Sequence, residues 1–425
     1  MAFHFPGGVS FGAAEDGKHS THEAPIVSFE PRRLILPLEG RFGQHCRPIV
    51  RVGDTVLAGQ TVAVPSGADG ICLHSGVSGR VESIDTCRTE DGPCRAIVIR
   101  NDFQNGKAPP IQNADRLALL DRAGVVGMGG AGFPTARKYR TDRPIATVLI
   151  NGCECEPYLA CDYRLMLQFP ERVVAGAAIL AEIVGATAII CVEDNKPQAI
   201  ARLRREADPA GIRVAVLPTC YPQGGERQLI KAMTGREVPS GGLPSDVGVL
   251  VSNVATAAAV ADAVDGKPLT HRIVTVAGEG IPPVNLRVPI GTPIGEILDA
   301  HVFAERTMHG DGHAIILGGP ITGSLLQQRD SPILKTTAGI LYLPVRKTDE
   351  MACIRCGACV RVCPMAVMPF AIDEADRDDD TARCIALHAE QCIACGCCSY
   401  VCPAKRELTW HTTAARYRTM KGAPR

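Results

Sequence analysis

Between Ala146 and Val264 the apolar positions switch repeatedly between helical spacing and short unbroken runs. The pattern predicts strands over Ala146–Ile150, Ala186–Glu193, Ile212–Leu217 and Val247–Ser252. It predicts helices over Pro170–Val184, Pro197–Ala207, Glu226–Met233 and Val254–Val264, with a further helix-like stretch at Ala114–Ala123. Such alternation implies a mostly parallel sheet covered by helices. Upstream, turns at Val52-Gly53-Asp54, Gly59-Gln60 and Gly79 separate short strands. Downstream, β-rich runs lie at Arg272–Ala277 and Asn285–Pro289, and a helix opens after Gly291. The longest apolar stretch, Val173–Val192, is broken by Glu182 and Gly185, so no run reaches the roughly 18–20 residues that cross a bilayer.

Composition narrows the picture. The 425 residues carry 45 basic and 45 acidic side chains, and this balance argues against nucleic acid as a partner. The first residues show neither the basic nor the apolar region of a signal peptide, which predicts a cytoplasmic protein attached to membranes only through partners. There are 19 cysteines, and ten of them lie between Met351 and Pro403, a clustering that points to metal rather than disulfides. Cys353, Cys356, Cys359 and Cys363-Pro form one run; Cys392, Cys395, Cys398 and Cys402-Pro form a second. Both have the C-x2-C-x2-C-x3-C-P spacing of two-cluster ferredoxins, in which the fourth cysteine ligates the other cluster. The spacing therefore predicts two [4Fe–4S] clusters, held by Cys353, Cys356, Cys359 and Cys402, and by Cys392, Cys395, Cys398 and Cys363. Paired zinc sites are the alternative, but they use separated C-x2-C knuckles. Cys384 and Cys397 fall outside the pattern and read as spectators. The acidic run Asp373–Asp380 reads as a solvated excursion between the halves.

A second constellation precedes the first buried strand: Gly127-Met-Gly129-Gly130-Ala-Gly132-Phe133, followed by Lys138. Four glycines in six residues expose backbone N–H groups suited to a phosphate or a flavin edge. The Walker spacing fails, and no strand leads directly into the loop as a dinucleotide fingerprint requires. Strands then end in Asn151-Gly-Cys153-Glu154-Cys155-Glu156, Tyr221-Pro-Gln-Gly-Gly-Glu226 and Ser252-Asn253-Val-Ala-Thr256. Three such termini at one sheet edge predict a pocket.

These residues resemble a known family. The glycine loop and Asn151-x-x-Glu154-x-Glu156-Pro are similar to the flavin motifs of the flavin subunit of respiratory complex I. The opening His4-Phe-Pro-Gly-Gly, Tyr221-Pro-Gln-Gly-Gly-Glu-Arg-Gln-Leu and Thr234-Gly-Arg-Glu-Val-Pro resemble the RnfC component of Rnf-type ferredoxin:NAD oxidoreductases. The resemblance implies a multidomain α/β fold: a barrel-sandwich domain like an unmodified carrier (1–110), a Rossmann-like FMN/NADH domain (111–266), a soluble-ligand-binding β-grasp module (267–342) and a two-cluster ferredoxin domain (343–410), then a fraying basic tail (411–425). It implies FMN contacts at Gly127, Gly129, Gly130, Lys138, Asn151, Glu154, Asn253 and Thr256. Phe133, Glu156 and Glu226 would face NAD(H), the two glutamates positioning nicotinamide. Cys153 departs from the complex I motif, which has an acidic residue there. The implied partners are the other subunits of a membrane-bound complex, with ferredoxin reached indirectly, and the implied place is the cytoplasmic face of the plasma membrane. Rival readings are a microcompartment cobalamin reductase, an electron wire without flavin, and a free-standing NADH dehydrogenase.

Overall fold

The computed structural model describes residues 4–422, except 13–15, 41–43, 68–69, 90–91, 113–114, 303–311 and 346–348. At its centre a four-stranded, wholly parallel sheet runs in the order Arg213–Leu217, Thr187–Glu193, Thr147–Gly152, Val249–Asn253. Val148, Leu149 and Ile150 are fully buried because helices cover both faces. Pro170–Val184, Pro197–Ala207, Glu226–Thr234 and Val254–Val264 fall within a residue of the helices that the periodicity predicts. The expected Ala114–Ala123 helix is Arg116–Arg122, capped by Asp115; Ala114 itself lies outside the described residues. The alanine-rich helix Val254–Val264 lies hard against Pro170–Val184, and a Cβ at Gly176 would meet the Ala257 carbonyl oxygen. Small residues thus set the distance between these two helices.

Two further sheets of four strands each form the N-terminal barrel. One contains Arg33–Pro37, Gly92–Asn101, Gly79–Thr89 and Thr55–Val56; the other contains Glu39–Gly40, Gln44–Pro48, Thr61–Pro65 and Leu73–His74. Leu34, Val56, Val62, Ile97 and Ile99 fill the space between them. The first strand of the barrel is Arg33–Pro37. Strand Ile26–Ser28 instead pairs in parallel with Ile281–Pro289, at the edge of a six-stranded sheet that also holds His271–Gly278, Gly339–Pro344, His313–Leu317 and Ser324–Leu325. His74 is buried, burial pushes its pKa down to about 3, and neither ring nitrogen has a hydrogen-bond partner.

The C-terminal region corrects two expectations. The first half of the acidic run belongs to a packed helix, Pro369–Arg377, with Asp373 fully buried, whereas Asp378–Asp380 follow it and are exposed as expected. Asp373 accepts from Arg377 Nε at 2.8 Å and from Arg406 Nε at 2.9 Å, while Asp376 accepts from His411 and from Arg418, both at 2.8 Å. Opposite charges recruited from later in the chain make burial of these carboxylates tolerable. Residues 411–422 are helical where a fraying tail was expected. They continue the helix Leu408–Gly422, whose inner face supplies His411, Ala415 and Arg418. The side chain of Lys421, and Arg425 altogether, lie outside the described residues.

Candidate functional site

Two cavities organise the C-terminal domain. Cys353, Cys356, Cys359 and Cys402 line one, with Ile354, Phe370 and Leu408. Cys363, Cys392, Cys395 and Cys398 line the other, with Pro364, Val367 and Thr412. Each cavity thus takes three cysteines from one motif and the fourth from the other. Gly357 and Gly396 begin the short helices after the loops at φ of 71° and 79°, a conformation that suits glycine. The backbone N–H groups of Arg355 and Ala394 each donate to a cysteine sulfur, Cys353 and Cys392, at 3.4 Å. Four converging thiols with N–H donors at sulfur fit an iron–sulfur cluster in either cavity. Cys397 also borders the second cavity, but its thiol points to the Tyr221 carbonyl; Cys384 is a core residue.

The expected flavin edge is built where three strands of the parallel sheet end. Met128 N donates to Thr256 Oγ1 at 2.9 Å, which ties the glycine loop to the start of helix Val254–Val264. A Cβ at Gly129 would lie 2.8 Å from Asn253, whereas one at Gly130 would meet nothing within 4 Å. The loop therefore presents bare backbone to open space beside the sheet edge, and a flat ring with a phosphate fits such a cradle. Asn151 donates to the Gly224 carbonyl at 2.8 Å and accepts from Cys153 N. Lys138 donates to Glu226 at 2.9 Å and to the Val251 carbonyl at 2.6 Å. Glycine loop, Lys138, Asn151, Glu226, Asn253 and Thr256 thus converge. Phe133 sits in the same loop with the Arg137 guanidinium over its ring.

Glu154 and Glu156 are both engaged by other parts of the protein. The Glu154 carboxylate accepts from Asp162 N at 2.7 Å and from Tyr163 N at 3.0 Å, so it caps the helix Cys161–Gln168 instead of facing the loop. Its backbone sits at φ 46°, unusual for a side-chain-bearing residue. Glu156 turns toward the six-stranded-sheet module, accepting from Ile321 N, Thr322 N and Thr322 Oγ1. Burial raises its pKa. Its carboxylate joins two modules. Cys153 is buried with its thiol toward the Cys191 carbonyl, away from the edge.

Sequence reasoning missed the groups that hold this edge from beneath. Lys18 is buried and donates to the carbonyls of Glu154 (2.8 Å) and Leu159 (2.6 Å); burial lowers its pKa, against the opposing charge of Glu154. Lys196 is fully buried and donates to the Cys153 carbonyl at 2.6 Å and to Glu193 at 3.0 Å. Asp162, raised to about 6 by burial and then by Glu154, accepts from Asn253 at 2.5 Å. Neither lysine stands out in the sequence: Lys18 lies in the polar stretch Asp16-Gly-Lys-His-Ser-Thr-His-Glu23, and Lys196 follows Glu193-Asp-Asn at a strand end.

The flavin edge and the second cysteine cavity meet directly. The Tyr221 hydroxyl donates to the Cys395 carbonyl at 2.7 Å, and Gly224 N donates to Cys155 Sγ at 3.4 Å. The N-terminal segment bridges both sides: Gly8 N donates to the Val362 carbonyl, while Val9 and Tyr221 exchange two backbone hydrogen bonds of 2.8 Å. A Cβ at Gly396 would lie 2.4 Å from the Ile321 side chain, so the module before the cluster domain closes over this cavity as well.

Comparison with known proteins fits this geometry. Residues 120–262 match the Nuo51 FMN-binding domain, and residues 352–405 match the 4Fe-4S dicluster domain. Residues 3–104 match the RnfC barrel sandwich hybrid domain. The C component of the Na(+)-translocating ferredoxin:NAD(+) oxidoreductase complex of Acetobacterium woodii is 39% identical over 412 residues, covering 92% of both chains. This chain belongs to the RnfC family. The corresponding component of the proton-translocating ferredoxin:NAD(+) oxidoreductase complex of Clostridium ljungdahlii is 38% identical, over 88% of this chain and 85% of that one. That of the ion-translocating oxidoreductase complex of Pseudomonas aeruginosa is 40% identical over 86% of this chain, which spans about half (49%) of that longer relative. Among solved structures, an NAD+-reducing [NiFe]-hydrogenase in its H2-reduced state shares the fold over 73% of this chain and 62% of its own, with a TM-score of 0.50 and 21% identity. The RnfC-family chain thus carries an FMN-binding domain and a dicluster domain joined through Tyr221.

Proposed function

We propose that this RnfC-family chain is the peripheral electron-transfer subunit of a membrane-bound, ion-translocating ferredoxin:NAD oxidoreductase. The observation that carries the reading is the wiring: eight motif cysteines sort into two crossed sets of four, and one set is built onto the edge of the flavin domain. Bound at that edge, FMN supplies a centre that takes two electrons as hydride and passes them on singly. Gly127, Gly129 and Gly130 would offer backbone donors to it, and Asn151, Asn253 and Thr256 would fix the loops around it. Lys138 would supply a cation there, held in place by Glu226 and the Val251 carbonyl. Glu226 and Phe133 remain the candidates for orienting NAD(H), since Glu156 is engaged by the 321–322 turn. Among the described residues no helix is long and apolar enough to cross a membrane, so attachment at the cytoplasmic face would run through other subunits. The relatives above are subunits of translocating complexes, which favours this reading over a microcompartment reductase.

Anaerobic reconstitution tests it. The protein should hold about eight irons and one flavin per chain, with flavin absorbance bleached by NADH. Lys138→Met should lose flavin and NADH-dependent bleaching while keeping its iron. A wild-type chain that takes up iron but no flavin would refute the flavin half of the reading.

A further inference from the structure

Eight of the 19 cysteines belong to the two cluster motifs, and the others divide by what their sulfurs meet. Cys46 donates to the Ile71 carbonyl at 3.1 Å, and the thiols of Cys153, Cys191 and Cys220 also point at backbone carbonyls. Each of these behaves as a small buried group that has found an acceptor. Cys87 and Cys94 differ. Their sulfurs meet each other at 3.4 Å. The apolar set that fills the barrel, with Leu34, Val56, Val62, Ile97 and Ile99, includes neither of them. Filling the barrel therefore does not account for two thiols placed together.

Strand pairing holds the two in register. Strands Gly79–Thr89 and Gly92–Asn101 are antiparallel, and Cys87 faces Cys94 directly, between the Thr86–Arg95 and Arg88–Pro93 pairs. Directly opposed residues have Cα atoms about 4.5–5.5 Å apart, inside the range of about 4.4–6.8 Å that a disulfide spans. Closing the sulfurs to a bond of about 2 Å thus asks for side-chain rotation, not for a new backbone. Cys87 is half-buried, within reach of a small reagent, while Cys94 is buried. The Cys94 contact, and then burial, raises the pKa of Cys87, as expected where two thiols share a site and the second proton is the harder to remove. The same strand ends at Thr89, which lines a cleft shared with Ala131 and Gly132 of the glycine loop.

We propose that Cys87 and Cys94 are a redox modification site: a dithiol that closes reversibly to a cross-strand disulfide when a small disulfide, such as oxidised glutathione, is in excess. One cysteine thiolate attacks the S–S bond of the reagent and releases one glutathione thiol; the second cysteine sulfur then displaces the other. Two S–H bonds are lost and one S–S bond forms between Cys87 and Cys94. The reagent leaves as two thiols, carrying both protons and both electrons. In a reducing compartment such a pair is transient and registers a change of redox poise instead of bracing the fold. Closing it ties the hairpin near its end and stiffens one wall of the cleft beside the glycine loop.

The test uses the full chain with its clusters loaded, held without oxygen in glutathione buffers of rising oxidised fraction, then alkylated and cut with trypsin. Cleavage after Arg80, Arg88 and Arg95 puts the two cysteines on separate peptides, 81–88 and 89–95, and neither peptide holds another cysteine. Oxidised buffer should convert most of both peptides into one linked pair, lighter by two hydrogens than their sum. Dithiothreitol should return them to separate, alkylated peptides. Hydrogen exchange of strands 79–89 and 92–101 should slow severalfold in oxidised wild type. The same buffer should leave exchange unmoved in Cys87→Ser and Cys94→Ser, with iron content as in wild type. Full alkylation of both cysteines in oxidised buffer, or a lasting glutathione adduct on either, overturns the site whether or not the variants fold. Unchanged exchange in a wild-type chain that has closed the bond overturns the stiffening.

Discussion

Tyr221 holds the Cys395 carbonyl with its hydroxyl while its backbone pairs with Val9, so one residue touches both halves of the wiring. Tyr221→Phe keeps the ring and removes the donor. A donor at a ligand's carbonyl draws electron density from the cluster, so its loss should shift one cluster's midpoint to a lower value and leave the other in place. Redox-titrated EPR checks this, and equal movement of both midpoints would contradict it. Asp162 gives a pH prediction. Its folded pKa, about 6, lies above the ordinary 3.8, so the native state binds the proton more tightly. Its contribution to stability therefore falls as pH rises from about 4 to about 6 and stays low above that, by on the order of 3 kcal/mol. Asp162→Asn, which can still accept from Asn253, should raise Tm at pH 7 and flatten its pH dependence in that window. Lys138, Asn151 and the glycine loop were legible as neighbours of one sheet edge because turn chemistry is local. Glu154 and Glu156 were not, because their partners, Asp162 N and the 321–322 turn, arise from a helix and a module that the motif does not contain.

At the scale of elements, the acidic helix Pro369–Arg377 is held by charges far along the chain. Asp373→Ala would leave Arg406, 12% exposed, without its buried partner. The expected cost is about 3 kcal/mol, read as lower Tm of the cluster domain and faster loss of iron to a chelator. The parallel-sheet helices were legible because Pro170–Val184, Pro197–Ala207 and Glu226–Thr234 keep an apolar face, while Val254–Val264 is an apolar run buried almost all round. Helix Cys161–Gln168 was not, since its apolar positions mix with Asp162 and Arg164 and its start is set by Glu154. The final helix looked like a basic tail for a related reason. Its pairing with Asp373 and Asp376 is tertiary, and basic residues read locally as solvated.

The whole molecule is a relay whose parts differ in what holds them together. The parallel sheet and its helices rest on a large apolar core, whereas the cysteine loops contribute little core of their own. Removing iron should therefore unfold residues 353–402 first and leave the parallel sheet intact. Hydrogen exchange would show protection lost there while Val148–Ile150 stays protected; simultaneous loss in both regions would refute it. The N-terminal bridge carries a consequence for synthesis. Gly8 leaves the ribosome early, yet its partner Val362 appears more than three hundred residues later. At about 5–20 residues per second, the wait is on the order of tens of seconds. During that time the barrel and flavin domain can form, but the seam between flavin edge and cysteine loops cannot close. The surface that electrons must cross is therefore assembled late, only after nearly the whole chain has been made.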